Sequence, residues 1–225
     1  MGGHLPQGPG AELLLDYMRR ARPLLVNSGV NQCRADDGNP AATEVWPFWP
    51  GVAPQRMVPF AEQRGVTAAM TSGVDLLNGL AVLAGMSRLD IPGVTGGSDN
   101  DYVALAEGTL EALYDHDLVF IHVESPDEEG HEGNAEGKVA AIEAIDREVL
   151  SRVRERAVRG DVRILAMPDH PTPVDIKTHV SEAVPLVLWG PGIAGNGASR
   201  YDEASAEATG LVLDPGRLVM DELLG

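Results

Sequence analysis

Apolar and polar positions along this chain follow two different periods, and the switches between them mark out the elements. Leu13, Leu14, Tyr17, Met18 and Ala21 recur at helical spacing, which predicts a helix over 11–25 closing around Pro23. The next stretch, 26–38, is polar without a period and reads as irregular. Trp46, Phe48 and Trp49 then fall in a proline-punctuated extended segment that reads as a packing plug. From Gly65 the pattern changes: the short apolar runs 66–70, 87–91, 118–123, 162–167 and 184–189 read as strands. Helical patterns at 74–84, 103–114 and 136–156 lie between them, and 215–224 reads as a short closing helix. Strands alternating with helices imply a layered α/β domain, a mainly parallel sheet flanked by helices.

Composition narrows the partners. With 225 residues, 44% of them hydrophobic, the chain can build one sizeable domain and an appendage. A formal net charge of −17 argues against nucleic acid and anionic membrane, because both demand basic surface. No apolar run approaches the roughly 18 residues that a membrane helix needs. The single Cys33 excludes an intrachain disulfide framework, and the start lacks the basic and apolar regions of a signal peptide. A cytoplasmic location is therefore expected. The Gly/Pro-rich lead-in, 1–10, has no pattern of its own and is of the kind found where a longer chain has been cut.

Candidate chemistry gathers past two strand ends. The run 118–123 delivers Asp127 and His131, and the run 162–167 delivers Asp169, His170 and His179. Ligands of open α/β sheets bind beyond the carboxyl ends of the strands. One such Asp or His alone is ordinarily a cap or a loop hydrogen-bonder. Asp169-His170 held between prolines, with His179 nearby and an Asp-x-x-x-His on a second strand end, is poorly explained by capping. The five side chains are thus candidate ligands of divalent cations, and three imidazoles with two carboxylates suit manganese or zinc better than calcium. The glycine-rich loop 92–102 opens a helix and could cradle a phosphate, but it lacks the Walker spacing and its lysine.

Several segments together resemble the cofactor-independent phosphoglycerate mutases of the archaeal type, a branch of the alkaline phosphatase superfamily. They are Asn31-Gln-Cys-Arg34, 46–51, 73–86, 92–96, 122–131, Lys138 with 142–146, and Asp169-His170-Pro-Thr-Pro with His179. The resemblance implies an alkaline-phosphatase-like fold, present in part. Residues 1–64 would be the end of an inserted substrate-handling domain and its return linker, and 65–225 the metal-binding domain. It also implies interconversion of 3-phosphoglycerate and 2-phosphoglycerate through a phosphoserine, at a site of two divalent cations, Mn2+ by expectation with Zn2+ or Mg2+ as alternatives. The matches to Asp127, His131 and His179 would hold one cation, and those to Asp169 and His170 would help hold the second. Arg34, in the Asn-x-x-Arg element, would offer a bidentate fork to the substrate phosphate, although a solvated loop arginine is nearly as good a description. Lys138 is a further substrate candidate, a surface or salt-bridging lysine by default.

The departure from the family concerns the nucleophile. Its serine and an accompanying Asp-Gly strand end belong to an amino-terminal portion that has no match in this sequence, so the catalytic residue is unknown. Thr95, Ser98 and Thr172 stand near the site, but nothing in the sequence places a base beside them. An N-terminal segment or second chain is expected to complete the site for a small phosphorylated substrate. A sheet cut in this way leaves an open edge, which predicts self-association into a homo-oligomer. Two other readings stay open: another phosphotransferase or phosphatase of the superfamily, homoserine kinase-like, and a catalytically silent metal-binding remnant.

Overall fold

The computed structural model describes residues 5–47, 51–52, 57–159 and 162–225. Phe48 and Trp49 of the expected aromatic plug lie outside the described residues, and Trp46 is exposed. The chain divides into two compact units, 1–55 and 56–225.

The first unit carries α1 (Ala11–Val26) and α2 (Gly29–Asp36). α1 continues past Pro23, whose carbonyl accepts the side-chain Nδ2–H of Asn27 at 2.8 Å. The segment expected to be irregular is helical at α2, a correction to the sequence reading. Its anchor is a side chain rather than an apolar stripe: the buried Asn31 donates to the carbonyls of Leu25 and Ala42, both at 2.6 Å, and accepts from the Ala42 amide at 2.9 Å. A helix held through one amide leaves no hydrophobic period to read.

The second unit opens with α3 (Phe60–Arg64), ahead of the expected boundary at 65. Phe60 belongs with this unit because its ring meets Phe120 edge-on at 5.8 Å and its N–H donates to Ala84 O at 2.7 Å. There follow β1 (Ala68–Thr71), α4 (Asp75–Leu83), β2 (Ser87–Arg88), α5 (Tyr102–Ala112) and β3 (Leu118–Ile121). These strands form a parallel sheet in the order β2-β1-β3, with Ala69 opposite Ser87 on one side and Val119 on the other. Apart from Met70, β1 is built of small residues, and Ala68, Ala69 and Thr71 are buried in the middle of that sheet.

Next come α6 (Ser125–Glu132) and α7 (Ala135–Ala144), then a π-helical stretch, Ile145–Leu150, that runs on into α8 (Ser151–Val158). β4 (Ile164–Ala166) and β5 (Val187–Trp189) pair with each other antiparallel, Leu165 opposite Leu188. The layered α/β fold is as expected, but this last pair departs from the parallel arrangement. An apolar run records burial and not strand direction, so the sequence could not show it. α9 (Glu203–Ala208), a single 3-10 turn and α10 (Val219–Leu224) close the chain.

Leu105 and Ala106 of α5, with Val149 and Val153, form the buried core, and Ile121, Val123 and Ile164 pack onto it. Ile121 of β3 and Ile164 of β4, strands of two separate sheets, thus pack on one helical core.

Candidate metal centre

α6 carries the first two candidate ligands, and the sequence reading missed it as a helix. Pro126 sits in its first turn, where no backbone N–H is required, and Asp127 and Glu128 place negative charge at the positive end of the dipole. Gly133, at φ 76, ends it in the left-handed conformation that glycine adopts freely. Asp127 and His131 are four residues apart and so share one face. Asp127 Oδ2 lies 3.2 Å from His131 Nε2.

The loop after β4 brings the rest. His179 Nε2 stands 3.3 Å from Asp127 Oδ1 and 3.1 Å from His131 Nε2. His170 stacks on His179 with ring centroids 3.7 Å apart, and its Nε2 faces Asp169 Oδ2 at 3.4 Å. All five candidate ligands are therefore neighbours. Asp127 is the hub, with His170 Nδ1 3.9 Å from its Oδ1.

Thr172 holds the hub in place. It is 3% exposed, and its hydroxyl donates to Asp127 Oδ1 while lying 3.2 Å from His170 Nδ1. Lys138 of α7 donates to Thr172 O at 2.6 Å. Gly130 makes this approach possible: a Cβ there would sit 2.5 Å from Thr172 O and 3.0 Å from Lys138 Nζ. Arg34 lies in the first unit, exposed on α2, where its Nε donates to Pro40 O at 3.0 Å. Thr95 Oγ1 is engaged by Asp99 at 2.6 Å.

The donor set fits a divalent cation. The carbonyl of Lys177 is 3.0 Å from His131 Nδ1 and can only accept, so Nδ1 carries the proton. In the neutral ring His131 Nε2 then presents a lone pair to a carboxylate oxygen. Acceptors facing one another in this way are reconciled by a positive charge between them, a proton or a metal cation. Bonds of about 2.1 Å to a metal would separate adjacent ligand atoms by roughly 3.0–3.5 Å. The contacts of Asp127 Oδ2 with His131, of Oδ1 with His179 and of the two imidazoles fall in that interval, and Asp127, His170 and His179 each offer one ligand atom within 4.8 Å of the others.

A second polar group, missed in the sequence because it sits inside and just past an apolar run, lies at the ends of β1 and β3. Ser72 Oγ is 3.0 Å from His122 Nδ1, and His122 Nε2 is 3.3 Å from Glu124 Oε2. The Val74 amide donates to Ser72 Oγ at 2.9 Å, which leaves the hydroxyl proton for the imidazole. Burial pushes the His122 pKa down, against the pull of Asp169 and Asp127. Burial also pushes the Glu124 pKa up, helped by Asp127, Glu128 and Asp169. These residues stand where the strand order reverses, the usual ligand crevice of an open sheet. A cleft of about 600 Å³ opens beside them, lined in part by Gly73, Gly96, Gly97, Ser98, Glu124 and Glu128.

Comparison with known proteins identifies a family. The family described as Metalloenzyme superfamily matches residues 20–217. A Geobacter sulfurreducens protein named probable 2,3-bisphosphoglycerate-independent phosphoglycerate mutase is 41% identical over 223 residues, covering 98% of this chain and 56% of that protein. A Methanothrix thermoacetophila protein named 2,3-bisphosphoglycerate-independent phosphoglycerate mutase is 42% identical over 209 residues, covering 92% and 53%. A solved Pyrococcus horikoshii protein superposes with a TM-score of 0.64 at 29% identity, over 75% of this chain and 48% of its own. The solved cofactor-independent phosphoglycerate mutase from Thermoplasma acidophilum, at 24% identity and a TM-score of 0.56 over 95% of this chain and 51% of its own, supports the fold. The chain spans about half the length of the curated relatives it matches. No helix among the described residues is long and apolar enough to cross a membrane.

Proposed function

The chain belongs to the Metalloenzyme superfamily, and we propose that it is the metal-binding part of a cofactor-independent phosphoglycerate mutase, which interconverts 3-phosphoglycerate and 2-phosphoglycerate. The observation that carries this reading is the convergence of Asp127, His131 and His179, at 3.1–3.3 Å from one another, in a chain whose relatives bear that name. These three would hold one divalent cation, and Asp169 with His170 would contribute to a second; the donors suit manganese or zinc better than calcium, and the family resemblance favours manganese. Divalent cations supply Lewis acidity toward a phosphoryl oxygen and lower the pKa of an accepting hydroxyl. The protein's own part is to fix the carboxylate and imidazoles in place and to orient the substrate. Arg34 is the proposed phosphate contact. The Lys138 donors not taken by Thr172 O are the proposed second contact.

The accepting hydroxyl is proposed to come from outside the described residues. Thr172 already gives its proton to Asp127, and Thr95 gives its own to Asp99. Among the described residues β3 pairs with β1 alone and β4 with β5 alone, while both strands pack on one core. An additional strand seated against either edge would bring its carboxyl end to the five ligands.

The test is turnover. The manganese-loaded chain is incubated with 3-phosphoglycerate, alone and with the amino-terminal half of the Geobacter relative, and 2-phosphoglycerate is followed by phosphorus NMR. Conversion is expected in the mixture and should vanish in His131→Ala. Retained metal with no conversion under either condition would overturn the assignment of this activity.

A further inference from the structure

We propose that Lys177 is the positioning residue of the metal centre: it holds His131 with its proton on Nδ1 and latches the loop that carries His179 onto the end of α6. The proposal rests on the functional reading only through the identity of the ligands.

Two features of Lys177 point the same way. Its backbone has φ 58, and among the described residues no other non-glycine residue has a positive φ. A side chain is disfavoured there by contact between its Cβ and the backbone, so a lysine in this conformation needs surroundings that impose it. The conformation is fixed from one side by the Lys177 amide, which donates to Pro173 O at 2.8 Å. On the other side its carbonyl accepts from His131 Nδ1 at 3.0 Å.

The side chain makes an independent contact. Lys177 Nζ donates to Glu132 O at 3.0 Å, one of the last carbonyls of α6, which have no partner within the helix. A cation at this end also complements the helix dipole. Gly133 clears the path, since a Cβ there would lie 2.4 Å from Lys177 Cε and 2.8 Å from Nζ. Glycine at 133 thus does two things, ending α6 and admitting the lysine stem.

The consequence for the ligands is direct. The loop is tied to α6 at two successive residues, by a carbonyl to His131 and by an ammonium to Glu132. His179 lies two residues beyond Lys177, with its Nε2 3.1 Å from that of His131. A metal binds only the imidazole nitrogen that lacks a proton, and an N–H to carbonyl bond on the opposite nitrogen fixes both the tautomer and the ring plane. Loss of the latch frees both.

The experiment reads tautomer and affinity on the whole chain. Nitrogen-15 NMR of the histidine rings, above neutral pH where imidazole is uncharged, should show His131 in the native chain with its proton on Nδ1. Lys177→Met keeps the stem and removes the donor; it should mix the tautomers and weaken Zn2+ binding by about 10–100-fold. Lys177→Arg, which restores a donor, should recover most of the loss. A native His131 carrying its proton on Nε2 overturns the proposal without any variant, and so does a folded Lys177→Met chain with native tautomer and native zinc affinity. His131→Ala separates the two levels of argument. If it abolishes zinc binding while Lys177→Met does not weaken it, only the role of Lys177 fails; if zinc binding survives His131→Ala, the metal centre fails with it.

Discussion

Both oxygens of Asp127 are engaged within the protein: Oδ1 accepts the Thr172 proton and faces His179, while Oδ2 faces His131. A carboxylate held in this way cannot rotate to suit a new ligand, so its geometry is set before a cation is bound. Thr172→Val keeps the shape of the side chain and removes the donor. The loss of one bond to a charged acceptor in a buried setting should cost about 1–3 kcal/mol of stability. Urea unfolding checks the cost, and metal affinity should fall in the same variant because Oδ1 is no longer oriented. Thr172→Ser retains the hydroxyl and should stay near the native chain on both measures. A Thr172→Val chain with native stability and affinity would show that the contact is incidental. The sequence offered Thr172 as a structural threonine between prolines, weighed briefly as a nucleophile. Its role was hidden because the partner is a carboxylate 45 residues earlier in the chain. Lys138 was likewise read for its charge, whereas it donates to a backbone carbonyl, that of Thr172, which no residue pattern records.

At the level of elements, close approaches of backbone decide what can change. Gly73 joins β1 to α4, and a Cβ there would lie 2.3 Å from Gly96 N and from Thr95 C. Neither backbone can yield easily, so Gly73→Ala should destabilise by about 3 kcal/mol. Gly79 lies inside α4 with nothing within 4 Å of a Cβ, and Gly79→Ala should instead stabilise by about 0.5–1 kcal/mol. Thermal melts of the two variants test the contrast, and a shift of the same sign in both would refute it. A second junction depends on pH. The Asp117 carboxylate accepts from the Thr67 amide and hydroxyl, both at 2.8 Å, and these bonds hold its pKa below the usual 3.8. The folded state therefore binds this proton less readily than the unfolded chain. The stabilisation is complete above pH 3.8 and is lost as pH falls through the lowered folded value. Asp117→Asn should flatten the acid limb of a stability profile in that window and leave its neutral limb parallel to the native one. Most strands were legible as short apolar runs set between polar and glycine positions, although only β1 is mostly buried. α6 was not, because its Ser-Pro-Asp-Glu-Glu-Gly-His-Glu sequence has no apolar face, and it is held by Pro126, the dipole and Gly133. His122 was passed over for the opposite reason: it lies within an apolar run and looks like part of the strand.

For the whole molecule, the ligands come from α6 and from the loop after β4, segments that meet only in the folded state. An ion bound between them should stabilise that state by mass action, by about 2.7 kcal/mol at a concentration one hundred times its dissociation constant. For a chain of this length that corresponds to a rise in Tm on the order of 5–10 °C. The net charge of −17 adds a general effect, since any divalent cation reduces self-repulsion. The two contributions differ in where they act. Screening stabilises without regard to position and is reproduced by monovalent salt, whereas coordination protects only the segments that supply ligands. Hydrogen exchange at fixed ionic strength, with manganese and with chelator, distinguishes them. Slower exchange is expected in α6 and in 168–180, while the amides of α1 and α2, in the other unit, should exchange at unchanged rates. In His131→Ala the local protection should disappear and the salt response should remain. Protection spread evenly over both units, or absent from α6, would mean that manganese acts on this chain as a counterion and not as a ligand of the five side chains.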